Sequence, residues 1–273
     1  MKKVVRLFLI LITLFIANNN IKALDINSKY YALYNMNEDK SIYEKDKDKK
    51  ISIASLTKIM TCLVAIENIG NLNDYVVLNN KMFNNLSGLS VAGFKVGNKV
   101  TYYDLLYGAM LPSGADATQA LALSISNSLD EYVSLMNNKA RELKLKNTHY
   151  VNVTGLDADN HYSTIEDVAI LLKYALKNDA FKKIFTTKTY TTSNNLVFMS
   201  TLAKNARRFN LNDSKIIGSK TGFTDDAGLC MASIASENNI NYMLVTCGAN
   251  STDNKPYQIM DAITIYNHYF ENY

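Results

Sequence analysis

Three short stretches of this 273-residue chain carry side chains that could perform acyl transfer. The first is Ser55-Leu56-Thr57-Lys58, just inside what reads as a helix running to Asn68 or Ile69. Residues i and i+3 lie on one helix face, so Ser55 Oγ and Lys58 Nζ can meet without help from elsewhere. A serine hydroxyl is a poor nucleophile until a base takes its proton, and a lysine serves only when uncharged. Burial and a neighbouring positive charge both favour that form. The second stretch is Pro112-Ser113-Gly114, a break between two helices where a hydroxyl can protrude into a cleft. The third is Lys220-Thr221-Gly222, at the end of a predicted strand, where glycine permits close backbone approach. Alone, Ser113 reads as a turn serine and Lys220 as a solvated strand lysine. Their joint occurrence, in this order, points to chemistry.

The elements that must hold these groups can be read around them. Two strands, Tyr30–Tyr34 and Ser41–Glu44, flank a turn at Asn37-Glu38-Asp39, and a charged loop from Glu44 to Lys50 leads into the Ser55 helix. Gly70 marks the end of that helix. A short strand is expected at Asp74–Leu78, and the stretch to Asn98 reads as loop. Thr101 and Asp104 form a capping-box start for a helix over Tyr102–Met110. Helices over Asp116–Ser126, Leu129–Leu145 and Ile165–Lys177 follow, the last capped by Thr164. After Phe185 the texture becomes β, with strands expected at Thr186–Thr192, Leu196–Ser200, Ile216–Thr221, Leu229–Ser236 and Ile240–Cys247. The last two flank Asn238-Asn239, a two-residue hairpin turn. A helix from Pro256 to Tyr269 closes the chain. With no repeat or linker, a single domain over residues 24–273 is the simplest organisation.

Composition sets bounds. Lys2, Lys3 and Arg6 precede an apolar run from Leu7 to Ala17, the pattern of an export signal. Cleavage after Ala23 is expected, with an uncleaved anchor, the one membrane attachment foreseen, as the alternative. Residues 1–23 hold four basic residues (Lys2, Lys3, Arg6, Lys22) and no acid, so without them the net charge falls from +4 to 0. The remaining chain has no electrostatic case for nucleic acid. Three cysteines and three scattered histidines give no disulfide framework or metal-ligand spacing, and no metal or cofactor is expected. Cys62, seven residues after Ser55, reads as a small buried side chain. Four N-x-S/T triplets, at Asn85, Asn152, Asn212 and Asn250, are ascribed to chance in so Asn-rich a chain.

The order S-x-x-K, interhelix serine, K-T-G is the signature of serine penicillin-binding proteins and related β-lactamases. The stretches Ala54–Thr61, Asp104–Ala117, Asn147–Asp157, His161–Thr164 and Gly218–Cys230 resemble the low-molecular-mass D-alanyl-D-alanine carboxypeptidases of the S11 peptidase type, and the likeness covers roughly residues 28–250. It implies an α+β fold of the serine β-lactamase/DD-peptidase type: an antiparallel sheet, built from the N-terminal strands and residues 186–247, with terminal helices on one face and a mainly helical segment, 53–177, on the other. It further implies Ser55 as nucleophile, Lys58 as base and Ser113 as proton relay. Lys220 would hold the substrate carboxylate and help keep Lys58 neutral, and Thr221 and Gly222 would line the substrate strand. The backbone N–H groups of Ser55 and Phe223 would form an oxyanion hole. The implied partners are peptidoglycan stem peptides ending in D-Ala-D-Ala, with β-lactams as covalent inhibitors, at the outer side of a bacterial envelope. Carboxypeptidase against endopeptidase preference stays open.

Two departures stand out. The family's second motif is S-x-N, and here the third position is Ala115. The β-rich C-terminal domain and membrane anchor of many relatives are not expected in this chain. A β-lactamase would need a deacylating glutamate, for which Glu142-Leu143-Lys144-Leu145-Lys146 is a near miss; a decayed peptidoglycan-binding protein is the other alternative. Finally, a turn centred on Asn238-Asn239 sets Cys230 against Cys247. Directly opposed Cβ atoms lie about 4.5–5.5 Å apart while a disulfide wants about 3.5–4.5 Å, so two free buried thiols are the expected state.

Overall fold

The computed structural model describes residues 24–38 and 40–272. The expected export segment and Asp39 of the first turn lie outside the described residues. Within them, no helix is long and apolar enough to cross a membrane.

Strands β1 (Tyr30–Asn35), β2 (Lys40–Lys45), β7 (Ile216–Thr224), β8 (Gly228–Glu237) and β9 (Ile240–Ala249) form one antiparallel sheet in the order β2-β1-β9-β8-β7. Period-two alternation gives each strand two chemistries. Cys230, Ala232, Ile234, Met243, Val245 and Cys247 face the helical region. Met231, Leu244 and Leu33 face the C-terminal helix, Tyr257–Asn272, with its Ile259, Ile265 and Tyr266. Each buried Ile, Leu, Val or Met among them contributes about 1.5–3 kcal/mol. The carboxylate of Asp261 accepts from the backbone N–H and hydroxyl of Ser28 at 2.7 and 2.6 Å, tying this helix to the start of β1.

On the opposite face lie α1 (Thr57–Asn68), α2 (Tyr102–Met110), α3 (Ala115–Ile125), α4 (Leu129–Glu142) and α5 (Ile165–Ala175). The Thr101/Asp104 capping box is present with both of its bonds. β3 (Tyr75–Val77) matches the expected short strand, but its antiparallel partner β4 (Lys99–Thr101) falls where loop was expected to end.

The β-rich reading after Phe185 needs correction. Residues 179–186 form α6, capped by Asn178, and residues 201–209 form α7, capped by Ser200 and closed by Asn210 at φ 51°. Strands β5 (Thr189–Thr191) and β6 (Val197–Met199) pair only with each other. They dock on α2 instead of joining the sheet, with the Tyr190 ring stacked on Tyr107 at 3.7 Å and its hydroxyl donating to Asp104 at 2.9 Å.

The β8–β9 hairpin has the expected turn. Asn238 and Asn239 both adopt positive φ, 51° and 62°, as a type I′ turn requires. The register runs as anticipated from Glu237↔Ile240 to Met231↔Thr246 and then shifts by one, so that Leu229 faces Ala249. Gly248, at φ 79°, supplies the extra residue. The bulge therefore falls where Cys230 and Cys247 were expected to oppose directly. Both remain buried free thiols, and Cys247 is pushed well up by burial and then by its neighbour Cys230.

Candidate active site

The nucleophile candidate does not lie in the α-helix itself. Residues Ala54–Leu56 form a single 3₁₀ turn that runs into α1 at Thr57. Lys58 is the second residue of α1, so the S-x-x-K spacing spans the junction of the turn and the helix. Ser55 Oγ and Lys58 Nζ are 3.0 Å apart. Lys58 also donates to the Thr154 carbonyl at 2.7 Å. A neutral amine has two N–H donors and one lone pair. Once Thr154 takes a donor, the lone pair can accept the Ser55 proton.

Lys58 is 3% exposed. Burial lowers its pKa to about 8, against small opposing pulls from Cys62 and Asp116. Lys220, 1% exposed, donates to Ser113 Oγ at 2.9 Å and to the Thr221 carbonyl at 2.6 Å. Burial pushes it well down, and the charge of Lys58 adds to that. Burial disfavours the charged form of both amines, and their mutual repulsion acts in the same direction.

Strand alternation explains the K-T-G geometry. Lys220 and Gly222 pair with Ala232 and Cys230 and so face the helical region. A Cβ on Gly222 would lie 2.8 Å from the Ser55 nitrogen. This glycine makes room for the nucleophile's own turn, not only for a substrate backbone. On the other side, Gly155 (φ 89°) presses on the same turn: a Cβ there would meet the Ala54 carbonyl oxygen at 1.9 Å.

Backbone conformation marks the site independently. Of the eleven non-glycine residues with positive φ among those described, only Ala54 (47°), Ser113 (63°) and Lys144 (58°) are not Asn or Asp. Two of the three belong to the site, where local strain tends to collect.

Ser55, Lys58, Ser113, Thr221, Gly222 and Phe223 line one cleft of about 690 Å³, with Ala115 also on its wall. Every site residue anticipated from sequence is thus brought together, Lys220 from just beneath the surface. Asp116 does not replace the missing amide at position 115. Its carboxylate accepts the N–H groups of Ala92, Gly93 and Phe94 at 2.7, 2.9 and 3.1 Å, which commits it to the loop edging the cleft. Glu142 is absent from the cleft wall and pairs with Lys139 at 2.7 Å, so it offers no deacylating carboxylate. Ala115→Asn should speed acylation a few-fold, worth on the order of 1 kcal/mol for one neutral hydrogen bond. Stopped acylation time courses would read this, and a loss of rate would mean that the cleft is fitted to alanine.

The 151–157 segment was missed as part of the site. Asn152 Oδ1 accepts the N–H groups of Thr154, Gly155 and Leu156, and this Asx-type clamp aims the Thr154 carbonyl at Lys58. The signals were the family-like stretch Asn147–Asp157, which assigned no role to single residues, and Asn-x-Thr-Gly, which also reads as a chance glycosylation triplet.

The arrangement, a serine hydroxyl held 3.0 Å from a buried lysine amine, is one that could support acyl transfer. The sequence profile of the Peptidase S11 family, described as D-alanyl-D-alanine carboxypeptidase, matches residues 17–251, and the chain belongs to that family. It is 32% identical over 245 residues to D-alanyl-D-alanine carboxypeptidase DacF of Bacillus subtilis, covering 85% of this chain and 60% of the relative. It is 34% identical over 219 residues to the D-alanyl-D-alanine carboxypeptidase of Streptomyces sp. K15, covering 72% of each. The crystal structure of the Streptomyces K15 DD-transpeptidase superposes with a TM-score of 0.80 at 29% identity, covering 91% of this chain and 98% of that one. The chain spans 60% of the length of the Bacillus relative and 62% of Escherichia coli DacC.

Proposed function

We propose that this protein is a serine-type D-Ala-D-Ala carboxypeptidase that works on peptidoglycan stem peptides outside the cytoplasm and is acylated by β-lactams. The observation that carries the proposal is the double pairing within one cleft: Ser55 with a buried Lys58, and Ser113 with a buried Lys220.

The substrate's terminal carboxylate approaches Lys220, supported by Thr221. Its charge favours the ammonium form of Lys220, and that ammonium disfavours a charge on Lys58. Lys58 takes the Ser55 proton as Oγ attacks the penultimate carbonyl carbon. The oxyanion forms against the Ser55 and Phe223 N–H groups, where fixed donors matter most. The proton passes through Ser113 to the leaving D-alanine nitrogen as the peptide bond breaks. Water, activated by the same lysine, then attacks the acyl-enzyme and returns Ser55. An amine in place of that water would give transpeptidation, or, with a cross-link as substrate, the first half would give endopeptidase action. A membrane role is assigned only to residues 1–23, as export signal or anchor.

The test is incubation with a diacetyl-Lys-D-Ala-D-Ala tripeptide, with enzymatic quantification of free D-alanine, alongside a chromogenic cephalosporin. Release of D-alanine with only stoichiometric cephalosporin consumption is expected. Multiple-turnover cephalosporin hydrolysis without D-alanine release would overturn the proposal in favour of a β-lactamase.

A further inference from the structure

His161 is 4% exposed and has no part in the chemistry above. Both of its ring nitrogens are nevertheless engaged. The Val151 N–H donates to Nδ1 at 3.2 Å, which makes Nδ1 the acceptor and leaves the proton of a neutral ring on Nε2. Nε2–H then donates to Thr57 Oγ1 at 2.9 Å. Tyr150 closes over the imidazole edge-on, with ring centres 5.7 Å apart.

These two bonds span the site's main joint. Thr57 sits between Leu56 and Lys58, on the turn that carries Ser55. Val151 opens the segment whose Thr154 carbonyl positions Lys58. Two direct bonds already fasten this segment to α1, Thr61 Oγ1 to the Val153 carbonyl at 2.8 Å and Lys58 to Thr154. His161 adds a bridge from a third segment, at the end of α1 nearest the nucleophile.

We infer that His161 is a positioning residue for the Ser55–Lys58 pair, locking the Thr154 carbonyl against the nucleophile turn so that the Lys58 amine stays aimed at Ser55 and shielded from water. Resting on the serine acyl-transfer reading, it adds to that reading a residue that acts through others. The charged and titratable groups facing the ring are His149, Asp157 and the Tyr150 phenol. Burial, helped by His149 and opposed by Asp157, pushes the imidazole down to about 4. The ring is therefore neutral wherever Lys58 can act as a base. An imidazolium would present an N–H to the Val151 N–H and break the lock.

The experiment measures acylation by a fluorescent penicillin from about pH 6 to 10, with a thermal midpoint for each variant. His161→Ala should slow acylation at neutral pH by about 10- to 100-fold, as a misplaced catalytic group does. It should also move the ascending limb of the pH profile up by about one unit as Lys58 gains water. Thr57→Val, which keeps the shape and removes only the hydroxyl, should move the limb the same way. His161→Gln, which retains a donor able to reach Thr57, should recover most of the rate. A lower thermal midpoint with the limb unmoved in both His161→Ala and Thr57→Val would mean a merely structural histidine and overturn the inference. Failure of the wild type to label would instead bring down the serine reading itself.

Discussion

Ser55→Ala is expected to abolish D-alanine release, a loss of about 10⁵- to 10⁶-fold of the kind seen when an acyl-transfer nucleophile is removed. The fold should survive. Ser55 is half-buried at the cleft wall, and its hydroxyl accepts a hydrogen bond from Lys58. Loss of a hydroxyl in such a place leaves no cavity and costs within about 1 kcal/mol. Thermal midpoints within a few degrees of wild type, with no D-alanine above the uncatalysed background, form the expected pair of results. Activity retained at a tenth of wild type or more would assign the nucleophile elsewhere.

Lys58→Ala should cost nearly as much. A nucleophile and its base act as a unit, so losing the base alone costs about as much as losing the nucleophile, and here it also leaves the Thr154 carbonyl without the donor it now has. The wild-type pH profile follows from the same residue. With Lys58 lowered by burial to about 8, about a tenth of the molecules carry a neutral amine at pH 7, against about one in three thousand for an ordinary lysine. Because the neutral form is the base, kcat/KM should rise with pH and level off above about 8, with the limb absent from Lys58→Ala. A rate that falls with pH across that range would mean that the ammonium is the active form. It would also remove Lys58 from the role of base.

The chemistry was legible in the sequence because it depends on side chains at fixed short spacings. Ser55 and Lys58 are three apart across a turn that runs straight into α1, and Lys220 and Gly222 are two apart on one face of β7. The Thr101/Asp104 box was legible for a similar reason, since both of its bonds are local. The supports were not. The Thr154 carbonyl is a backbone atom that any residue could supply, and its aim is set by Asn152, which reads as one asparagine among many. The positive φ values of Ala54 and Ser113 have no local sequence signal, and the two residues meet partners distant in sequence, Gly155 against Ala54 and Lys220 on Ser113.

The same logic accounts for the misread region after Phe185. Tyr190 and Phe198 have the aromatic, alternating look of sheet strands, and they do form strands. Whether a short hairpin joins the large sheet is decided by what it docks against, here Tyr107 and Asp104 of α2. The α7 sequence has a clear N-cap in Ser200, but the preceding β texture masked it. In the β8–β9 hairpin, local turn chemistry at Asn238-Asn239 determined the register over most of its length. A single Gly248 then shifted it at the far end.

The central claim is that Ser55 becomes covalently acylated in a cleft where Lys58 is its base. Its most direct measurement is peptide mapping by mass spectrometry after incubation with benzylpenicillin. The account predicts one added penicilloyl group per chain, located on the peptide that contains Ser55 and absent from Ser55→Ala. An adduct on Ser113, on Cys62 or on any other side chain, or no adduct on a folded protein, would contradict it.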